Sequence, residues 1–369
     1  MHLRTTYACN LACPYCVMSA RVGPLGQDAM SPDQARDIFS LFISNAATPS
    51  LSAEISGGEP LLCGCDWLAA VCAHVRAMEA NCGKHVNLWI TTNGTLLTEQ
   101  FVEVLRKYQV IVSIGLDAPG GSEKGLKTLD GRSRPGIGLL QEFYHLPGIN
   151  AVATQPAAKH IEQFMDVLRT WGVRQFRFTA FNDRGRIRSA PELIPTVDEA
   201  VDYTIRLLRY MERCDFSIVE TDALDRVYRF MGDRYQENFC YSPNCPAGSG
   251  FLAVDAKGDV YPCGFETRER FLLGNLYDGY DEKRRNNALS AYHGQSAPLL
   301  RCVFCRSSRI CHFGCAGCMH DGNSRHFDAE CQLTQRLFEH LEQDPGAVER
   351  YYRQAKDRLA ERDLSPISQ

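Results

Sequence analysis

The chain has 369 residues, 44% of them hydrophobic and 23% charged, which excludes a disordered or low-complexity protein. It leaves room for about two to three domains. Lys and Arg number 40 against 44 Asp and Glu, so the cationic excess that a nucleic-acid or anionic-membrane partner requires is missing. No apolar run approaches the roughly 18 residues of a spanning helix, and Met1-His2-Leu3-Arg4-Thr5 is no signal-peptide start. A cytoplasmic protein is expected, with no nucleic-acid and no membrane partner.

In chain order, short apolar runs predict strands at Leu3–Tyr7, Leu51–Ser56, Val86–Thr92, Val110–Gly115, Ile149–Thr154 and Gln175–Ala180. Amphipathic helices lie between them. Ser31-Pro32-Asp33-Gln34 is a capping box with Pro at the first helical position, followed by Ile38, Leu41 and Phe42 on one face. Leu68, Val71, Cys72 and Val75 keep the same period, as do Phe101, Val104, Leu105 and Tyr108, and then Ile161, Phe164, Met165 and Leu168. Six strand–helix units imply parallel strands in an open barrel or a doubly wound sheet, with ligands at the C-terminal strand ends. Two prolines in Ser189–Pro195 break the pattern, and Thr196-Val197-Asp198-Glu199 caps a helix that leads out of it.

Residues 239–331 differ, being rich in Gly, Cys and turn residues, a composition that usually needs metals to fold. Leu333, Leu337, Phe338 and Leu341 mark a closing helix before a polar tail. The expected division is an α/β unit over 1–185, a helical bridge over 186–238, a cysteine-rich region over 239–331 and a C-terminal helical tail over 332–369.

Cysteine is the outlier, with 17 in the chain. An odd count without an export signal points to metal ligation rather than disulfides. Cys9, Cys13 and Cys16 follow the first strand with the spacing C-x3-C-x2-C. Three thiolates on one loop can hold three irons of a cubane and leave the fourth open, or supply three of four zinc ligands. A second group comprises Cys245 and Cys263, then Cys302-x2-Cys305-x5-Cys311-x3-Cys315, then Cys331.

With Tyr15 in the aromatic place before Cys16, the first motif resembles the signature of the radical S-adenosylmethionine (SAM) superfamily. Ser56-Gly57-Gly58-Glu59-Pro60, at the end of the second strand, looks like that family's GGEP segment, where glycines admit the methionine ammonium to the backbone and Glu59 shapes the pocket. Thr91-Thr92-Asn93-Gly94 ends the third strand, where the family places polar contacts to SAM. Ser113-Ile114-Gly115-Leu116-Asp117 ends the fourth. It departs from the family there, with Gly115 for a serine, Ala118 for a glycine and Ser113 two residues earlier. Arg132 and Arg134 are candidates for pairing the SAM carboxylate.

The second group is similar to the SPASM extension of the same superfamily, C-x(9–15)-G-x4-C followed by C-x2-C-x5-C-x3-C and a last Cys. The resemblance implies a partial (β/α)6 TIM-like barrel followed by a loop-rich iron–sulfur domain and a C-terminal helix. It implies three 4Fe–4S clusters, one binding SAM and two auxiliary. Carried over, Cys245, Cys263 and Cys315 hold the first auxiliary cluster, with Cys240 as fourth ligand and Cys318 as second choice. Cys302, Cys305, Cys311 and Cys331 hold the second. His312 and His320 are read as solvated loop residues.

The implied activity is reductive cleavage of SAM to a 5′-deoxyadenosyl radical, hydrogen abstraction from a substrate C–H bond, and oxidation of the substrate radical through the auxiliary clusters. A flavodoxin- or ferredoxin-type donor is implied as reductant. The family's peptide and protein maturases, which form crosslinks or thioethers, are the first expectation for the substrate, and a small-molecule dehydrogenase the alternative. A non-catalytic carrier has no use for GGEP beside a three-cysteine loop. Sulfatase maturases place an Asp directly after the cysteine that matches Cys263; here Gly264 stands there, which argues against that subgroup. With so short a segment before Cys9, a leader peptide is expected to be captured by the barrel, the array or a separate leader-binding protein.

Overall fold

Alternation of apolar and polar residues builds the central sheet of the protein, seen in a computed structural model. The structure describes all residues except 27, 118–130, 145–147, 180–183, 234, 236–244, 280, 295–299, 312–314, 316–324 and 364–369. Its strands are β1 (His2–Arg4), β2 (Ala8–Cys9), β3 (Arg21–Val22), β4 (Ser50–Ser56), β5 (His85–Thr92), β6 (Ile111–Gly115), β7 (Gly148–Val152), β8 (Gln175–Thr179), β9 (Val219–Glu220), β10 (Ala253–Asp255), β11 (Asp259–Tyr261) and β12 (Gly274–Asn275). Ten of them form one sheet in the order β12-β11-β10-β1-β4-β5-β6-β7-β8-β9, open at both ends, while β2 pairs with β3. From β10 through β1 to β9 every neighbour is parallel, as in an open TIM-like barrel.

All six strands expected from the pattern are present; β1, β6 and β7 are shorter than the apolar runs, and the last residue of the sixth run, 180, lies outside the described residues. β1 stops at Arg4 because Thr5 and Thr6 turn to serve the second strand, Thr5 N donating to Ser56 O and Thr6 O accepting from Gly58 N at 2.7 Å. β7 stops at Val152 because Thr154 caps the next helix, its hydroxyl accepting from Ala157 N. In β4, Leu51, Ala53 and Ile55 enter the main core, and Val86, Leu88 and Ile90 of β5 do the same. The alternate residues, among them Glu54, Thr91, Ser113 and Asn150, line the opposite, polar face, where Thr91 donates to Glu54 at 2.6 Å and Asn150 to Ser113 at 2.6 Å.

The helices are α1 (Pro32–Asn45), α2 (Cys65–Cys82), α3 (Glu99–Lys107), α4 (Arg134–Phe143), α5 (Gln155–Lys159), α6 (Ile161–Thr170), α7 (Val197–Arg213), α8 (Thr221–Phe230), α9 (Glu282–Gly294), α10 (Leu300–Val303), α11 (Ser308–Cys311), α12 (Arg325–Gln343) and α13 (Pro345–Asp363). Both expected capping boxes form, at Ser31 with Gln34 and at Thr196 with Glu199. The polar tail is largely helical: α13 buries Val348, Tyr351 and Ala355 in the main core.

The pairing of β10 is not apparent from the sequence pattern. Its three residues align with all of β1, so the cysteine-rich region continues the barrel's own sheet. Among the described residues no helix is long and apolar enough to cross a membrane.

Candidate active site

The loop after β1 carries Cys9, Cys13 and Cys16, the first two buried. A turn sets their spacing, with Cys16 N donating to Cys13 O at 3.2 Å, and Leu11 N donates to Cys9 Sγ at 3.4 Å. Burial pushes the Cys9 thiol up to about 11, with smaller contributions in the same direction from Glu59, Cys13 and Cys16. A distant segment grips the loop. Arg186 donates to Cys13 O at 3.1 Å and to Ala20 O, and its backbone N to Cys16 O at 3.0 Å. Gly185 has φ +67° and lies so close to Cys16 O that a Cβ would overlap it.

Over this loop fold the ends of β4 and β5. The Gly58 backbone is packed against Ala8, leaving no room for a side chain, and Glu59 N donates to Ala8 O at 2.9 Å. Glu59 is fully buried. One carboxylate oxygen accepts from Thr92 Oγ1 at 2.7 Å and Leu61 N at 3.0 Å, the other from Asn93 N at 2.8 Å. Pro60 opens the short 3-10 turn that Glu59 caps. Asn93 donates to Asn10 Oδ1 at 2.9 Å, within 3.9 Å of Cys9 Sγ, and so joins the β5 end to the cysteine loop.

At the end of β6, Tyr15 donates to Asp117 Oδ1, while Asp117 Oδ2 is buried without a hydrogen-bond partner. Ser113 accepts from Asn150 rather than facing Asp117. Arg132 is exposed, beside Ser133, whose hydroxyl donates to Asn93 O at 2.7 Å. Arg134 stacks over Trp171 at 4.7 Å and donates to Gln141.

The structure therefore brings together Cys9, Cys13, Cys16, Tyr15, Gly57, Gly58, Glu59, Thr92, Asn93 and Asp117. Three thiols on one loop, two of them buried, close-packed glycine backbone and one orphaned carboxylate oxygen suit a cluster with an amino-acid ligand. Among the described residues no three His, Cys, Asp or Glu side chains are grouped to hold a single metal ion. A cubane asks for a wider opening between thiolates than one zinc at Zn–S of about 2.3 Å.

The second group of cysteines forms two neighbourhoods. Cys245 and Cys263 pack against Ala247, Phe271 and Tyr292, and Cys245, Cys263 and Cys315 all contribute, after burial, to raising the Tyr292 phenol. Cys302 lies on α10 and Cys311 on α11, while Gln335 on α12, one turn beyond Cys331, reaches Cys305 Sγ at 3.9 Å. Cys311 and Glu330 line one small cavity with Asp225, Arg226 and Arg229 of α8. Cys240, Cys318, His312 and His320 lie outside the described residues.

Three arginines that the sequence reading passed over tie the two regions together through Glu266. Arg4 is 1% exposed and donates to the carbonyls of Cys263 and Gly264, each at 2.9 Å, and of Glu266 at 2.5 Å. Arg184 donates to Phe265 O and Glu266 Oε2, both at 2.8 Å. Arg268 pairs Glu266 from the other side at 2.7 Å. Burial works to raise the Glu266 carboxyl, but the Arg268 hydrogen bonds and the Arg184 charge outweigh it and hold it down to about 2. An arginine on a buried strand was the available signal for Arg4. Gly264 has no room for the Asp of sulfatase maturases, since a Cβ would overlap the His2 ring, which is itself bonded to Ser56.

Residues 3–133 match the sequence model described as Radical SAM superfamily. The chain thus carries a radical SAM domain over these residues. The chain is 26% identical over 337 residues to the serine-type anaerobic sulfatase-maturating enzyme of Klebsiella aerogenes, covering 86% of this chain and 80% of that one. It is 24% identical over 319 residues to the mycofactocin maturase MftC of Mycobacterium tuberculosis, covering 84% and 76%. Its fold matches a solved structure of native anSMEcpe with bound AdoMet and Cp18Cys peptide at a TM-score of 0.76, with 18% identity and coverage of 95% and 98%.

Proposed function

We propose that this radical SAM enzyme oxidises a residue of a peptide or protein, using reductive cleavage of SAM to start the reaction and auxiliary iron–sulfur clusters to remove the second electron. The carrying observation is the convergence of Cys9, Cys13 and Cys16 with the Glu59–Asn93 network and the unpartnered Asp117 oxygen. Cys9, Cys13 and Cys16 would hold a 4Fe–4S cluster, and its open iron would supply the electron that turns bound SAM into a 5′-deoxyadenosyl radical. The chain's own residues bind and orient. Glu59 fixes the ends of β4 and β5, Gly57 and Gly58 bring backbone groups close, and Tyr15 with Asp117 closes the far side.

The Cys245, Cys263 and Cys315 neighbourhood would hold one auxiliary cluster, with Cys240 as fourth ligand, and Cys302, Cys305, Cys311 and Cys331 the other. Relatives named as maturases, and a like-folded protein that binds a peptide, support a peptide or protein substrate. A crosslink or thioether is the proposed product class, with a flavodoxin- or ferredoxin-type donor as reductant. The test is anaerobic: reconstitute, count iron, then add dithionite and SAM and assay 5′-deoxyadenosine. About twelve irons per chain with 5′-deoxyadenosine formed is the expected result for three 4Fe–4S clusters. Little iron and no cleavage overturns the reading.

A further inference from the structure

Gly185 separates two arginines that serve different sites. Arg184 has extended backbone, with φ −142° and ψ 155°, and Gly185 then turns left-handed at φ +67°. In a continuous strand residues 184 and 186 would share one face, and the glycine turn parts them. The Arg184 side chain, 7% exposed, donates to Phe265 O and to Glu266 Oε2, both at 2.8 Å. Glu266 N donates to Cys263 O at 3.0 Å, so Arg184 holds the turn that carries Cys263. Arg186 serves the three-cysteine loop, donating to Cys13 O at 3.1 Å and to Ala20 O, with its backbone N on Cys16 O at 3.0 Å. Ile187 follows, fully buried among Cys9, Leu11, Cys13, Tyr15 and Ala20. Four consecutive residues thus engage both cysteine sites.

Strand β1 joins the same sites by another route. Arg4 donates to the carbonyls of Cys263 and Gly264, each at 2.9 Å, and the chain runs on from Arg4 to Cys9. That route arrives at the Cys9 end of the loop, where Glu59 N on Ala8 O and Asn93 on Asn10 also hold it. Residues 184–187 take the other end, at Cys13 and Cys16.

Ordering a segment costs conformational entropy, and a segment already fixed at one end loses less when the other end engages. Such coupling is reciprocal. We propose that residues 184–187 form a clasp that couples the two sites, so that the grip of Arg184 on the Cys263 turn strengthens SAM binding at the three-cysteine loop. SAM binding at that loop is part of the function proposed above, and the clasp rests on it. Arg184 and Arg186 act through the backbone of the loop and are positioning residues.

The experiment compares reconstituted full-length protein with Arg184→Gln, Arg186→Gln and the double variant at equal iron content. Arg268 still pairs Glu266 when Arg184 is replaced, so the buried carboxylate keeps a partner. Calorimetric titration should show SAM bound about fivefold more weakly by each single variant. The double variant should bind no more weakly than the weaker single. Independent arginines would instead multiply their losses, to about 25-fold. Hydrogen exchange adds a local readout: amides of residues 13–20 should exchange faster in Arg184→Gln, although its own bonds end at Phe265 and Glu266. Arg184→Lys, which reaches one of those two acceptors, should fall between wild type and Arg184→Gln, and it stands in should the Gln variant load poorly. Multiplied losses, or an Arg184 variant with wild-type SAM affinity and wild-type exchange at 13–20, would overturn the clasp alone. Wild-type protein that binds no SAM would overturn the proposed function, and the clasp with it.

Discussion

The hydroxyl of Thr92 donates to the carboxylate of Glu59 at 2.7 Å, joining the end of β5 to the end of β4 over the cysteine loop. The same carboxylate takes two backbone N–H groups, so it is bonded on both oxygens in a site closed to water. Glu59→Gln keeps the shape but turns an NH2 group toward a donor. The expected cost is about 1–3 kcal/mol of stability, with at least a tenfold loss of SAM affinity. Thermal unfolding and calorimetric titration with SAM measure the two effects, and unchanged values for both would remove Glu59 from the site.

Gly58→Ala tests the close approach of the two backbones. A Cβ there overlaps Ala8 O, and the β4 end must move away from the loop. Iron content should fall by about four per chain, one 4Fe–4S cluster, with the auxiliary signals retained. A fully loaded, active variant would show that the two segments need not touch.

The cysteine groups separate by function. Cys13→Ala should abolish 5′-deoxyadenosine formation and leave the auxiliary clusters intact. Cys305→Ala should spare SAM cleavage but stop product formation. The readouts are iron per chain, 5′-deoxyadenosine by chromatography and substrate mass; wild-type turnover in either variant contradicts its assignment.

Much of this site is legible in the sequence because it is local. Cys9, Cys13, Cys16 and Gly57, Gly58, Glu59 each lie on a short segment at a strand end, and alternation of apolar residues locates the strands. Arg4, Arg184, Arg186 and Glu266 are not legible in the same way. Arg4 meets Glu266 across 262 positions of chain, and no local pattern records such a contact. β10 escapes for another reason: Ala253–Asp255 is too short to show a period.

Acid stability should report on Glu266. Its carboxyl is held near 2 in the folded protein, against an ordinary 4.5. The folded state therefore binds fewer protons than the unfolded state between those values, and stability is lost as pH falls through that window. Glu266→Gln should cost about 3 kcal/mol at pH 7, because two arginines lose their buried partner. The gap from wild type should begin to shrink below about pH 4.5. Urea unfolding of both proteins, equally loaded with metal, measures it; a gap that stays constant down to pH 3 would mean that Glu266 does not titrate as described.

The parallel pairing of β1 with β10 also sets an order of assembly. Strand β1 has one neighbour within reach, β4, and the other about 250 residues later in the chain, which at about 5–20 residues per second is a wait of roughly 12–50 s. Until then one edge of β1 is bare, and bare strand edges recruit other chains. Arg186, which pins the three-cysteine loop, and Arg184, which reaches Glu266, also emerge long after the segment they stabilise. A fragment ending before Ala253 should therefore aggregate, and metal loading should follow synthesis rather than accompany it.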